Sequence, residues 1–185
     1  MALALRRRVR AYAALAVALV LATLVLPAAP AQAIITCTTS NYIGAANNRY
    51  VSAELGYGGN LNGMLRARAS SPGPWETFRI CSDGTAHWFN SQANSRYVSA
   101  ELGRTGADRG MLRARATSVG PWERFEFGRY GNYLTIKSLA NNRYVSAELG
   151  YGGIRAGMLR ARATTIGPWE KFVLICRSPP VLCPP

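Results

Sequence analysis

The sequence predicts an all-β fold: a β-trefoil of three four-stranded repeats with a period of 47 residues. Three observations carry this expectation. The octapeptide RYVSAELG begins at Arg49, Arg96 and Arg143, 47 residues apart each time. MLRARA recurs at 64–69, 111–116 and 158–163, and GPWE at 73–76, 120–123 and 167–170, in the same frame and without a gap. Inside each copy, apolar residues alternate with a period of two, and Gly- or Pro-rich links separate the alternating runs, as they do between strands.

The elements follow in order. One strand precedes each octapeptide, in SNYIGAAN, AHWFNSQAN and YLTIKSLAN, and a small polar turn follows it. RYVSAEL places Val51, Ala53 and Leu55 on one face and Tyr50, Ser52 and Glu54 on the other. A Gly-rich hairpin loop comes next: GYGGNLNG, GRTGADRG or GYGGIRAG. In MLRARA, Leu65, Ala67 and Ala69 point to a core while Met64, Arg66 and Arg68 point out. The last strand of each copy carries WExF. Trp75, Trp122 and Trp169 recur in every unit and are expected in core or barrel-floor packing. Phe78, Phe125 and Phe172 point inward and direct Glu76, Glu123 and Glu170 inward with them. A buried carboxylate needs a partner, here an arginine such as Arg49 or the amides of a nearby turn, so these nine residues are read as structural. One four-stranded unit cannot bury its apolar face alone. Three units closing about a pseudo-threefold axis can, without long open edges, whereas a propeller needs at least four blades.

The amino terminus reads as a cleavable export signal over 1–33. Arg6, Arg7, Arg8 and Arg10 form its basic region, an apolar run follows, and Ala31-Gln32-Ala33 supplies the cleavage pattern. The run is short for a membrane anchor. The paired arginines leave Sec and Tat export both open, and the residues before Cys37 make a poor lipid-attachment signal. The expected mature chain has no transmembrane segment. It comprises a trefoil over 34–177, in repeats of about 37–83, 84–130 and 131–177, and a proline-rich tail over 178–185. Its formal charge falls from +13 to +9, with 16 arginines against Lys137 and Lys171. The Ala/Arg-rich composition and the signal suggest a secreted bacterial protein.

Cys37, Cys81, Cys176 and Cys183 remain, an even count that reads as two disulfides in an exported chain. Counted within the repeat, Cys176 is equivalent to Ser82 and Cys37 to Gly84, and both positions lie in the turn that joins consecutive units. Closure is therefore expected to bring Cys37 to Cys176 across the seam, with Cys81 joined to Cys183 through the tail. The pairing Cys37–Cys81 with Cys176–Cys183 stays open. No cysteine spacing fits a zinc site, His87 is the only histidine, and no cofactor is called for.

The pattern NxRYVSAExG…LxAR…GPWExF resembles the fascin-like, or actin-crosslinking-like, trefoil family. The matching residues are Tyr50-Val51, Glu54, Leu65-Arg66-Ala67 and Trp75-Glu76-Thr77-Phe78, with their equivalents in the other copies. The resemblance implies a trefoil and, as the family's activity, filament binding. Animal fascins join four trefoils and this chain has one. The Gln-x-Trp signature of ricin-type trefoils is absent.

Enzyme chemistry has little to rest on: six of the nine acids belong to the repeat, leaving Asp83, Asp108 and Glu126. A small hydrolase is the weakest reading. A non-catalytic binding module for carbohydrate or cell-envelope polymers is the strongest, and a protein-interaction module of fascin type is the alternative. Candidate ligand residues are the pairs Arg66/Arg68, Arg113/Arg115 and Arg160/Arg162, for which Glu54, Glu101 and Glu148 are candidate partners. They are joined by the loop residues Tyr57, Arg104 and Tyr151, where the copies stop agreeing. Asp83, His87 and Trp88 occur once and could make a small unique site, but a packed strand tryptophan beside an ordinary surface histidine is the favoured reading. No run of basic residues interleaved with aromatics points to nucleic acid.

Overall fold

The computed structural model describes residues 34–176. The predicted export segment 1–33, Arg177 and the tail with Cys183 lie outside the described residues. Twelve strands are present among them. The first unit holds β1 (Thr36–Gly44), β2 (Arg49–Glu54), β3 (Met64–Ala69) and β4 (Thr77–Ser82). The second holds β5 (His87–Ser91), β6 (Tyr97–Glu101), β7 (Met111–Ala116) and β8 (Phe125–Tyr130). The third holds β9 (Tyr133–Ser138), β10 (Arg143–Glu148), β11 (Met158–Ala163) and β12 (Phe172–Cys176). Among the described residues, helical geometry is confined to single 3-10 turns of three residues.

Six strands pair antiparallel in a closed ring, in the order β1, β4, β5, β8, β9, β12 and back to β1. The seam is a ladder that sets Gly44 opposite Phe172 and Ser40 opposite Cys176. The other six strands form the hairpins β2–β3, β6–β7 and β10–β11. Their second strands meet pairwise around the pseudo-threefold axis, where Met64 faces Arg113, Met111 faces Arg160 and Met158 faces Arg66. This is the predicted trefoil: a barrel closed at one end by a three-hairpin cap. Phe78, Phe125 and Phe172 are fully buried in one core with Val51, Val98, Val145, Leu65, Leu112 and Leu159. Burying each such side chain contributes about 1.5–3 kcal/mol.

Three details of the repeat explain how the cap is held. The turn before each octapeptide has a left-handed residue, Asn48, Ser95 or Asn142, with φ of 49°, 55° and 56°. The preceding asparagine holds that turn. Asn47, Asn94 and Asn141 each donate a side-chain N–H to the carbonyl of Ala67, Ala114 or Ala161, at 2.7, 2.9 and 2.8 Å. Their carbonyls accept the amides of Arg49, Arg96 and Arg143. At the axis, Ala67, Ala114 and Ala161 donate their amides to the carbonyls of Gly157, Gly63 and Gly110, each at 2.7 Å. Every unit is thus bonded to the next in a cycle.

Two expectations are corrected here. Met64 and Arg66, expected outside, are buried, as are Met111, Arg113, Met158 and Arg160. The hairpin loops fold back over that face, so the three methionines form a second apolar cluster with Tyr57, Leu61 and Tyr151 against it. Strand alternation held along MLRARA, but the face it turned away from the barrel is covered by loop.

The disulfide is Cys37–Cys81, not Cys37–Cys176. No unit precedes β1 in the trefoil, so it does not turn as the chain does at Gly84. It runs straight on along β4, and Cys37 comes directly opposite Cys81 with a Cα separation of 4.1 Å. The seam closes through the β1–β12 ladder instead. Cys176 is also disulfide-bonded. The Cys81–Cys183 pairing is excluded because Cys81 is taken.

Candidate functional site

GPWE forms a 3-10 turn immediately before the last strand of each unit. Proline suits the first position of such a turn because its φ is already set and its missing N–H would be orphaned there. The glutamate carboxylate reaches back to accept the amide of the glycine three residues earlier. Glu76 accepts from Gly73 at 2.8 Å, Glu123 from Gly120 at 2.8 Å and Glu170 from Gly167 at 2.7 Å. All three carboxylates are buried, and their partners are turn amides. The indole carried on this turn points out. Trp75, Trp122 and Trp169 are 56%, 53% and 41% exposed. The expectation of core packing is overturned: the residue lies in a turn, not on the inward face of a strand. The Gly-Pro-x-Glu spacing was the available signal, since it is a turn pattern before it is a strand pattern.

The indole turn packs on the β2-type strand of its own unit, and the arginine–glutamate pairs are there. Arg68 binds Glu54 through two N–H groups, one to each carboxylate oxygen, and Arg162 binds Glu148 in the same way. These hydrogen bonds raise both guanidinium pKa values above their ordinary range. The carboxylates are buried while the guanidinium side chains remain about half-exposed. In the second unit Arg115 and Glu101 occupy these positions. Here a cavity of about 460 Å³ is lined by Trp122, Arg115, Glu101, Leu102, Arg104 and Asn60.

The first arginine of each pair does something else. Arg66 donates to the carbonyl of Ala156 at 2.9 Å, Arg113 to that of Asn62 at 2.8 Å and Arg160 to that of Arg109 at 2.9 Å. Each acceptor belongs to the hairpin loop of a different unit, so these buried guanidiniums tie the cap together and present no ligand surface. Tyr57 and Tyr151 are half-buried rather than free rings. Their hydroxyls accept N–H groups from Arg66 and Arg160 at 2.8 and 2.7 Å.

Of the unique residues, Asp83 and Trp88 meet at Arg124 and line one cavity with it, while His87 lines another. Trp88 is buried, with the Arg124 guanidinium 5.7 Å from its ring centre. Asp83 closes its own turn through Thr85 and Ala86 and pairs with Arg124 at 3.0 Å. The Thr85 hydroxyl first, then the two amides and Arg124, hold its carboxyl well below the usual range. His87 stacks on Phe127 at 4.5 Å, and burial lowers its pKa. Asp108 is held low by Arg155, which binds it at 2.8 and 3.1 Å, and Glu126 sits 3.9 Å from Lys137.

No family model matches the chain, and no curated protein matches it. Solved structures do. The designed threefold-symmetric protein ThreeFoil superposes with a TM-score of 0.61 at 11% identity, covering 74% of this chain and 96% of that one. The Rhizoctonia solani agglutinin gives 0.60 at 9% identity, over 76% and 96%. The Macrolepiota procera ricin B-like lectin, solved in complex with lactose, gives 0.57 at 18% identity, over 74% and 94%. At these identities the similarity concerns fold, and with the closed ring and three-hairpin cap it establishes the chain as a β-trefoil.

Proposed function

We propose that the protein is a secreted, non-catalytic module that binds carbohydrate or cell-envelope polymers at three quasi-equivalent sites. Each site is an exposed indole beside an arginine–glutamate pair: Trp75 with Arg68, Trp122 with Arg115, and Trp169 with Arg162. The observation that carries this reading is the threefold repetition of a large exposed tryptophan. An exposed indole costs apolar hydration and offers a rigid flat face with a polar N–H, a surface suited to stacking on a sugar ring. Three weak sites on one rigid cap gain from multivalency on a polymer. The non-catalytic part is supported by the carboxylates: each of the nine is engaged by an arginine, a lysine or backbone amides. Export is supported by the signal pattern of residues 1–33, with the module over 34–177 and a proline-rich tail over 178–185, and by a disulfide that persists in oxidising compartments.

The repeated motif residues also support placing the chain in the fascin-like branch of the trefoils, and with it a protein-interaction role on filaments as the second reading. Pull-down of the mature chain on insoluble chitin, cellulose and peptidoglycan at low salt tests the first. Retention on at least one is expected, falling roughly tenfold or more in the triple Trp75→Ala, Trp122→Ala, Trp169→Ala variant. No retention on any, with saturable co-sedimentation on F-actin, would transfer the assignment to the second reading.

A further inference from the structure

The three sites are not alike, and the difference is electrostatic. Tyr57 and Tyr151 have Arg104 as their equivalent in the second unit. Arg104 turns back on its own unit and donates Nε to the Oε2 oxygen of Glu101 at 3.2 Å, while one Nη reaches Asn60 at 3.5 Å. In the first and third units, that second carboxylate oxygen accepts Nη2 of Arg68 or Arg162, at 2.9 Å in each case. In the second unit it is occupied, and Arg115 keeps only its Nε contact to Glu101. One carboxylate therefore serves Arg104 and Arg115, with Arg113 close by. Burial, and then the neighbouring Arg104 and Arg115, push the Arg113 pKa down against the pull of Glu101. The adjacent Asp108 also attracts Arg104, but both its oxygens are bound by Arg155.

The other units set two arginines against one glutamate, and this unit sets three. The surplus faces the cavity of about 460 Å³ whose wall also carries the exposed Trp122 ring. Arg104 is mostly covered, its side chain 18% accessible, so its charge is weakly screened and its geometry is already organised. Guanidiniums with free N–H arms match a carboxylate in the bidentate way that a lysine does not.

We propose that the second unit's site is selective for an acidic sugar: the carboxylate of a uronic acid residue lies between Arg104 and the released arm of Arg115, and its ring stacks on Trp122. The first and third sites, whose pairs are already satisfied, take neutral sugars. This rests on the carbohydrate reading above and names the ligand class of one of its sites.

Calorimetric titration of the mature chain separates the two. The probes are α-1,4-linked tetragalacturonate, the neutral α-1,4-linked galactose tetramer and sodium phosphate. Tetragalacturonate is expected to bind one to one, at least tenfold more tightly than the neutral tetramer at low salt, with the gap closing as salt rises. Arg104→Tyr, which recreates the environment of the other two units, and Arg104→Gln should each bring the acidic-to-neutral ratio close to one, with thermal melts confirming a folded protein. An unchanged ratio in both variants would overturn the assignment. So would competition by phosphate at equal concentration, which would mark a simple anion site. Binding of neutral polymer or tetramer without acidic preference would sink this inference and leave the carbohydrate reading standing. Absence of binding to every glycan would remove both.

Discussion

Replacing Gly110 by alanine is expected to destabilise the trefoil by about 3 kcal/mol or more. Gly110 has φ of +79°, and a Cβ there would stand 2.7 Å from the carbonyl oxygen of Ala161 and 3.3 Å from its carbon. The obstacle is backbone, so no side chain can move aside. The same carbonyl carbon belongs to the residue whose amide is bonded to the Gly110 carbonyl at 2.7 Å, so relieving the clash breaks the bond that joins the second unit to the third. Gly63 and Gly157 stand in equivalent places against Ala114 and Ala67, and their alanine variants should behave alike. Gly103, in the same hairpin loop as Gly110, meets nothing within 4 Å. Gly103→Ala is therefore the control and should shift stability by less than about 1 kcal/mol. Urea unfolding of the four variants is the measurement. Equal midpoints for Gly103→Ala and Gly110→Ala would show that the cap is not locked in this way.

Removing the Cys37–Cys81 bridge by serine at both positions is expected to cost about 4 kcal/mol on the loop-entropy scale, within the ~2–5 kcal/mol usual for small secreted domains. The bridge spans 44 residues, nearly the whole first unit. It also holds the first residues of β1, which pair with β4 beyond the reach of the β12 ladder. Without it those residues are secured only by their pairing to β4. Non-reducing peptide mapping accompanies the unfolding measurement and should recover a fragment joining Cys37 to Cys81. A Cys37–Cys176 fragment would contradict the register of β1.

The strand plan was legible because it depends on period alone. RYVSAEL and MLRARA alternate, repeat in frame and pair with each other, and closure follows from the need to bury Val51, Leu65 and Phe78 with their copies. Three features lay beyond period. Arg66 sits on the face turned from the barrel, and alternation does not say whether that face meets water or a loop. Only the return of the loop around Gly153–Ala156 over it decides. By composition Trp75 reads as a core residue, large, apolar and repeated in every unit, while the Gly-Pro-x-Glu clamp is a local turn pattern that overrides hydrophobicity. Symmetry equates Cys37 with Gly84, yet the symmetry ends at β1, which opens the first unit of the trefoil and runs on along β4 without a turn. Of the candidate site, the arginine partners Glu54, Glu101 and Glu148 were readable for Arg68, Arg115 and Arg162. The loop difference at Arg104 was readable too, but not its consequence, because the sharing of Glu101 is a matter of geometry.

The exposed indoles, and not the loop tyrosines, are expected to meet the ligand. This is tested most directly by following the indole N–H resonances of the mature chain while the polymer fragment it retains is titrated in. The chain holds four tryptophans. Trp75, Trp122 and Trp169 should shift with saturation while buried Trp88 stays in place. Movement of Trp88 alone, or binding that leaves all four resonances unmoved, would contradict it.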